Sequence, residues 1–463
     1  MLFSSLLFLS IFLPIVLLIY FTVKRELRNY VLLVASLIFY GWGEPRYLAI
    51  MLIVILMNYF FAILVENSKN KKLYLAIVIA GNLSFLVYFK YFNFLIENAN
   101  RFFSLNLSTL DIVMPIGISF YTFQALSYVI DVYRGEAKAQ KNIYNVALYV
   151  TFFPQLIAGP IVKYHDIEKE IITRSINLDN IYLGLKRFIF GLGKKIILAN
   201  TFGEVVDNIY ATNLHSLDSK ILWLGAICYA LQLYFDFSGY SDMAIGLGKM
   251  FGFTFLENFN YPYISKSITE FWRRWHISLS TWFKEYLYIP LGGNRKGTKR
   301  TYINLFIVFL ATGIWHGANW TFIIWGLWHG FFIILERYIK IEQYNKLYHK
   351  IIRHIYTFLV FIIGWVIFRA PSMISCIEYI KIMFGVSHNS KIEYMLSDFL
   401  DIKVIILLCI GILVSLSIFK TLTKEKEKRI YKLMTNVLSI FTLIISIFLI
   451  ASATYNPFIY FRF

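Results

Sequence analysis

The sequence predicts an all-α integral membrane protein of about ten to twelve transmembrane helices. Two observations predict it. Of 463 residues, 58% are hydrophobic and 16% charged, against roughly 25% charged in soluble domains. The apolar residues also gather into runs close to the ~20 that cross a ~30 Å hydrocarbon core, and the breaks between them are short and basic. The net charge of +18 is therefore assigned to cytoplasmic loops facing anionic lipid, and nucleic acid is not expected as a partner.

The first run, residues 2–22, has no Lys or Arg before it and is followed by Lys24, Arg25 and Arg28. A cleaved leader has the opposite order, so the run reads as a retained helix with its N-terminus outside. Further runs lie near 30–43, 46–65, 73–93, 112–131, 144–162, 221–249, 303–335, 355–369, 403–419 and 435–451. The stretch 181–200 carries Lys186, Arg187, Lys194 and Lys195 and reads as an amphipathic interfacial helix. Loops 66–72 and 420–432 are basic and expected on the cytoplasmic side. No internal repeat or extramembrane domain is evident. The chain reads as one polytopic domain, with N-terminal helices in 1–110, a core in 111–335 and C-terminal helices in 336–463. Cys228, Cys376 and Cys409 have no metal-ligand spacing and read as buried, inert thiols, and no metal site is expected.

As one helix, the run 303–335 would rise roughly 50 Å at 1.5 Å per residue, longer than a crossing needs. Both its flanks are basic, with Lys299 and Arg300 before and Arg337 and Lys340 after. A hairpin is expected, turning near "GIWHGANW" at 313–320 and placing His316 near mid-depth. A single kinked crossing is the alternative. A histidine at such depth is either a neutral imidazole bonded to a helix carbonyl or a functional base. Trp315, Asn319 and Trp320 add side-chain donors in the same turn, which suits an oxygen-rich substrate. His329 reads as structural.

The stretch "FWRRWHISLSTWFKEYLYIPLGGNRKG" (271–297) is too charged to span. It reads as an interfacial helix followed by a Gly-Gly-Asn turn. Arg273 and Arg274 suit phosphate contacts, but on charge alone lipid-headgroup anchoring is the favoured reading. His276 is ambiguous for the same reason. In "LQLYFDFSGYSDMAIGLGKMFGF" (231–253), Asp236 and Asp242 sit within an apolar span. They are expected to be paired, as proton relays or as groups orienting neighbours such as a histidine.

Together these stretches resemble the membrane-bound O-acyltransferases. The branch is the bacterial one that O-acetylates alginate and peptidoglycan and is related to the teichoic acid D-alanyl transfer protein. "GISFYTFQALSYVIDVYRG" (117–135) and "FFPQLIAGPIV" (152–162) fit the same pattern, so the resemblance spans nearly the whole chain.

The resemblance implies a ring of helices around a thinned centre, with a tunnel from the cytosol outward, in a multi-pass protein of the bacterial cytoplasmic membrane. It implies that 111–335 is the catalytic core, that His316 is catalytic and that His276 is the branch's second histidine. A cytosolic thioester, acetyl-CoA, is the expected acyl donor, with no bound cofactor. A separate extracytoplasmic acetyltransferase is the expected partner and a cell-envelope polysaccharide the final acceptor. The C-terminal "FIYFRF" is similar to an aromatic motif whose tyrosine, here Tyr460, is proposed to accept the acyl group; by composition alone it reads as an aromatic belt. Donor docking is expected near 273–300, with Arg273, Arg274 and Trp315 in contact, His316 as general base, and His276 and Asn319 at the developing oxyanion. D-alanyl transfer from a carrier protein and, in a different class, a lipid-linked sugar transporter are the alternatives. A transporter is expected to show paired repeats, and none is found.

Overall fold

The computed structural model describes residues 1–344, 346–386, 392–417, 429–452 and 455–457. Among the described residues the regular structure is helical, without strands. Among the described residues, six helices are long and apolar enough to cross a membrane: 45–67, 71–103, 219–250, 320–339, 347–369 and 430–452. Two shorter apolar helices span 8–22 and 402–415. Several runs expected to span are interrupted. The run at 112–131 has no regular structure until Gly117, whose φ of +75° precedes the helix that starts at Ile118. The run at 144–162 breaks at Phe152, just before Pro154.

The chain forms two compact units. The first comprises Met1–Phe188 and Tyr240–Leu256. It contains α1 (Leu13–Thr22), α2 (Arg28–Gly43), α3 (Leu48–Asn67), α4 (Lys71–Leu86), α5 (Phe92–Phe103), α6 (Ile118–Arg134), α7 (Ile143–Thr151), α8 (Phe153–Leu156), α9 (Tyr164–Ile172) and most of α10 (Leu178–Gly193). Its core holds an aromatic cluster of Phe3, Phe8, Phe39 and Phe153. Between α3 and α4, Asn58 and Asn82 exchange side-chain hydrogen bonds of 3.0 Å in both directions, fully buried. Apolar helices have little hydrophobic reason to associate in lipid, so a satisfied polar pair supplies the attachment.

The second unit comprises Ile189–Gly239 and Glu257–Phe463. It contains α11 (Asn200–Ala211), the first part of α12 (Ser219–Met250), α13 (Ile268–Arg274), α14 (Ile277–Phe283), α15 (Gly297–His316), α16 (Trp320–Ile339), α17 (Leu347–Arg369), α18 (Met373–Met383), α19 (Ile402–Ser415) and α20 (Arg429–Ser452). Helices α15 and α16 form the expected hairpin, with α15 starting at Gly297, earlier than the apolar run suggests. Glycines set its spacing. A methyl group on Gly313 would come within 2.5 Å of the Phe322 carbonyl oxygen, and one on Gly326 within 2.4 Å of that of Phe309. The backbones therefore meet at a distance no larger side chain permits. Cys228 and Cys376 are buried as expected, but Cys409 is exposed, because it lies on the outward face of the apolar helix α19.

Candidate active site

The hairpin turn positions His316. Helix α15 ends at His316 because Gly317 is extended, and Asn319 then caps α16 by accepting the Thr321 N–H at 3.1 Å. The Asn319 amide donates to the Pro371 carbonyl at 3.3 Å. Both ends of this carboxamide hold the turn, a role different from the oxyanion contact expected of it. The His316 ring is 9% exposed. It lies edge-on to Trp325, Trp315 and Phe368, with centroids 4.8, 5.0 and 5.2 Å away. Trp315 in turn faces His276, with centroids 6.3 Å apart. The two expected histidines therefore both lie near one tryptophan.

His276 is held more tightly than its sequence neighbourhood suggests. It precedes α14 with a φ of +44°, a left-handed conformation that costs a non-glycine residue free energy and is concentrated at functional sites. Segments 258–260 and 274–277 fix it through backbone bonds from Asn260 N–H to Arg274 O and from Ile277 N–H to Asn258 O, both 2.9 Å. The Asn258 side-chain oxygen accepts the Ser278 N–H at 3.2 Å. A backbone N–H can only donate, so this atom is the oxygen, and Nδ1 of His276, 3.2 Å away, must be the protonated nitrogen. The lone pair is then on Nε2, which is buried without a hydrogen-bond partner. Burial pushes the imidazolium pKa down to about 3, so the ring is neutral at physiological pH. A neutral imidazole of fixed tautomer with an uncommitted nitrogen is the form a base or acceptor requires.

A cavity of about 660 Å³ lies among α13, α14, α15 and α16. Arg273, Lys284, Arg337 and Lys340 line it and are exposed, while Trp272, Phe309 and Thr312 line it and are buried. It thus runs from cations to aromatic rings. Trp272 lies 5.5 Å from Trp325, the ring that touches His316. One wall contains Glu336, whose carboxylate accepts the N–H groups of Ile268 and Thr269 and, at 2.7 Å, the Thr269 hydroxyl. An anion there caps α13 and binds it to α16. His329 is fully buried between Trp272 and Trp325, 5.1 Å from each, with neither ring nitrogen hydrogen-bonded.

The remaining expected residues are dispersed. Arg274 is engaged by Glu270 at 2.8 Å and by the Asn260 carbonyl at 3.1 Å, and of the two expected arginines Arg273 is the one that lines the cavity. Asp236 pairs with Lys195 at 2.6 Å, with both side chains buried. Asp242 pairs with Arg187 at 2.8 Å in the first unit. The carboxylates are paired as expected, but with lysine and arginine from the stretch expected to be interfacial. Lys195 turns inward there. Tyr460 lies outside the described residues. Sequence reasoning missed Asn258 and Glu336. A lone carboxylate near the end of an apolar run was the available signal for Glu336. Asn258 offered none, because its partner lies 18 residues on. Elsewhere, in the first unit, His165 donates to Asp131 at 2.9 Å and faces Asp166 at 3.3 Å. With Glu136, His165 and Asp131 bring possible metal-ligand atoms within 4.8 Å of one another.

His316 at the hairpin break and His276 before α14 both approach Trp315, and comparison with known proteins supplies the family. A family model described as MBOAT, membrane-bound O-acyltransferase family, matches residues 67–379. The chain belongs to this family. It is an O-acyltransferase and an integral membrane protein. Over 381 residues the acyltransferase is 47% identical to the probable alginate O-acetylase AlgI of Pseudomonas putida, covering 81% of this chain and 78% of that protein. It is 37% identical to the peptidoglycan O-acetyltransferase of Helicobacter pylori, covering 84% and 80%. It is 32% identical to the teichoic acid D-alanyltransferase of Bacillus subtilis, covering 51% and 62%. Family membership replaces the transporter alternative.

Proposed function

We propose that this acyltransferase takes an acetyl group from a cytosolic thioester, acetyl-CoA, and passes it outward for O-acetylation of a cell-envelope or extracellular polysaccharide. It acts in the bacterial cytoplasmic membrane with an extracytoplasmic partner transferase. The observation that carries this reading is the cavity, with its exposed cations and, on its buried side, Trp272, which packs against Trp325, the ring that lies edge-on to His316. Arginine and lysine suit the phosphates of the donor, and the apolar end suits its pantetheine arm and thioester. The long matches to O-acetylating relatives support acetyl as the group.

In the proposed chemistry His316 removes the proton of the Tyr460 phenol. The phenolate oxygen bonds to the acetyl carbon, the carbon–sulfur bond breaks, and the thiolate leaves and takes up a proton. His276, with its proton on Nδ1 and a lone pair on Nε2, acts as an acceptor beside Trp315 and does not donate to the developing oxyanion. The phenyl ester then passes the acetyl group to the partner.

The test is acetyl transfer by the purified protein. Arg273→Ala combined with Arg337→Ala is expected to raise the acetyl-CoA KM, and His276→Ala to lower kcat. A KM unmoved by the double substitution would remove the donor from this cavity. The match to the teichoic acid D-alanyltransferase favours a second reading, D-alanyl transfer from a carrier protein. An alanyl mass on the C-terminal peptide in place of acetyl would select it.

A further inference from the structure

Buried polar atoms gather where α13, α16 and α17 meet. The His329 ring and the Trp272 and Trp325 indoles form a triangle, each pair edge-on. His329 lies 5.1 Å from either indole, and the indoles lie 5.5 Å apart. His329 is 0%, Trp325 1% and Trp272 8% exposed. Among the described residues, neither nitrogen of His329 and neither of these indole nitrogens has a hydrogen-bond partner. The neighbouring Trp328, by contrast, donates to the Val360 carbonyl of α17 at 2.9 Å.

Helix α17 makes room for the imidazole. A methyl group on Gly364 would come within 2.6 Å of His329 Nε2. Glycine weakens a helix interior relative to alanine, and a buried polar atom without a partner weakens the fold as well. An apolar side chain at 329 with alanine at 364 would avoid both costs, so stability alone does not account for the pair. The triangle joins two parts of the site. Trp272 lines the cavity. Trp325 lies 4.8 Å edge-on to His316, and Phe368 of α17 packs against both rings. His329 itself does not line the cavity, so its effect on the reaction passes through these rings.

We infer that His329 is a positioning residue for acyl transfer: set between Trp272 and Trp325 and admitted by Gly364, it fixes the indole edge against which the His316 ring is oriented. The inference rests on the reading of His316 as the base given above. A planar ring holds two indoles edge-on in a way that an aliphatic side chain of similar volume does not. A reacting group misplaced by about 1 Å loses about 10²-fold in rate, so a small turn of Trp325 is enough to matter.

The test uses the full-length protein in detergent with acetyl-CoA as the probe. It follows melting temperature, kcat and donor KM for acetyl transfer, and the ring ¹H–¹⁵N signals of the histidines. His329→Leu is expected to melt at or above the parent temperature, because it removes two unsatisfied nitrogens. It should nevertheless lower kcat by about 10-fold or more, with the donor KM unchanged. Added to His316→Ala, it should lower the residual rate no further, since a residue acting through His316 has nothing left to act on. Gly364→Ala should lower kcat by displacing the imidazole, and should have no effect beside His329→Ala, where the methyl has space. A lower melting temperature with parent activity per folded molecule makes His329 a packing residue and overturns the inference. So do losses that multiply with His316→Ala, or a Gly364→Ala effect that is the same with and without the imidazole. The His316 signals, identified by their absence in His316→Ala, should shift in His329→Leu; unmoved signals overturn the positioning whatever the rate. If His316→Ala keeps parent activity, the base reading falls, and the signals and the Gly364 comparison still decide the positioning.

Discussion

Two helical hairpins of this protein place polar side chains in apolar helices and use them in opposite ways. In α3–α4, Asn58 and Asn82 satisfy each other, and the pair is complete. In α15–α16, contact is made by glycine backbones, so no side chain is needed as glue. Of its histidines, His316 ends α15 at the break, and His329 is buried on α16 with neither ring nitrogen hydrogen-bonded. In hydrocarbon a satisfied polar pair is architecture, whereas a buried polar group left uncommitted costs stability and persists where function demands it.

The largest expected effect breaks the functional hairpin at its imidazole. His316→Ala should lower acetyl transfer by about 10²–10⁴-fold, the range of a lost general base, with expression and size-exclusion profile unchanged. Activity at the parent level would reduce His316 to a packing residue. Next is the glycine seam. Gly326→Leu should destabilise by about 1–3 kcal/mol, the usual cost of overpacking, and lower transfer as well, because separating α15 from α16 moves the His316 turn. Thermal unfolding in detergent checks the first part and acetyl transfer the second.

The architectural hairpin should respond differently. Asn58→Leu strands Asn82 and should cost about 1 kcal/mol without changing transfer per folded molecule. Asn58→Leu with Asn82→Leu should recover most of that loss, since removing both partners leaves nothing unsatisfied. A double variant as unstable as the single one would show that the amides do more than bind each other. The smallest effect lies outside both hairpins. Hydrogen bonds to Asp131 and then Asp166 raise the His165 pKa from 6.5 to about 10. A raised folded pKa stabilises fully below the unfolded value and ceases to do so as pH rises through the folded one. The melting temperature of His165→Gln should therefore fall below the parent's most clearly under pH 6.5, and the two should converge above pH 10.

Much of the second hairpin was legible in sequence. Basic flanks on both sides of an overlong apolar run imply a return, and Gly313 and Gly317 beside His316 mark the turn. The helical class was legible for the same reason, because burial in lipid is a sum over neighbouring residues. The partners of the charges were less so. Asp236 was expected to be paired, yet Lys195, 41 residues away, read as interfacial by its basic neighbours. His276 could have been a headgroup contact. Its left-handed backbone and its bond to Asn258 made it a buried imidazole of fixed tautomer, and neither is visible in local composition.

What the sequence determined by itself was therefore the membrane, the helices, the hairpin and the identity of its histidine. Each follows from residues a few positions apart, through hydropathy, helix geometry and loop charge. Only the tertiary structure decided which carboxylate met which cation, which nitrogen of His276 kept its lone pair, that Asn319 would cap a helix, and that Tyr455 and Pro457 would be held by Asp207 and Lys195. Those outcomes depend on packing between segments distant in the chain, where a buried polar group must find a partner among whatever the fold brings beside it.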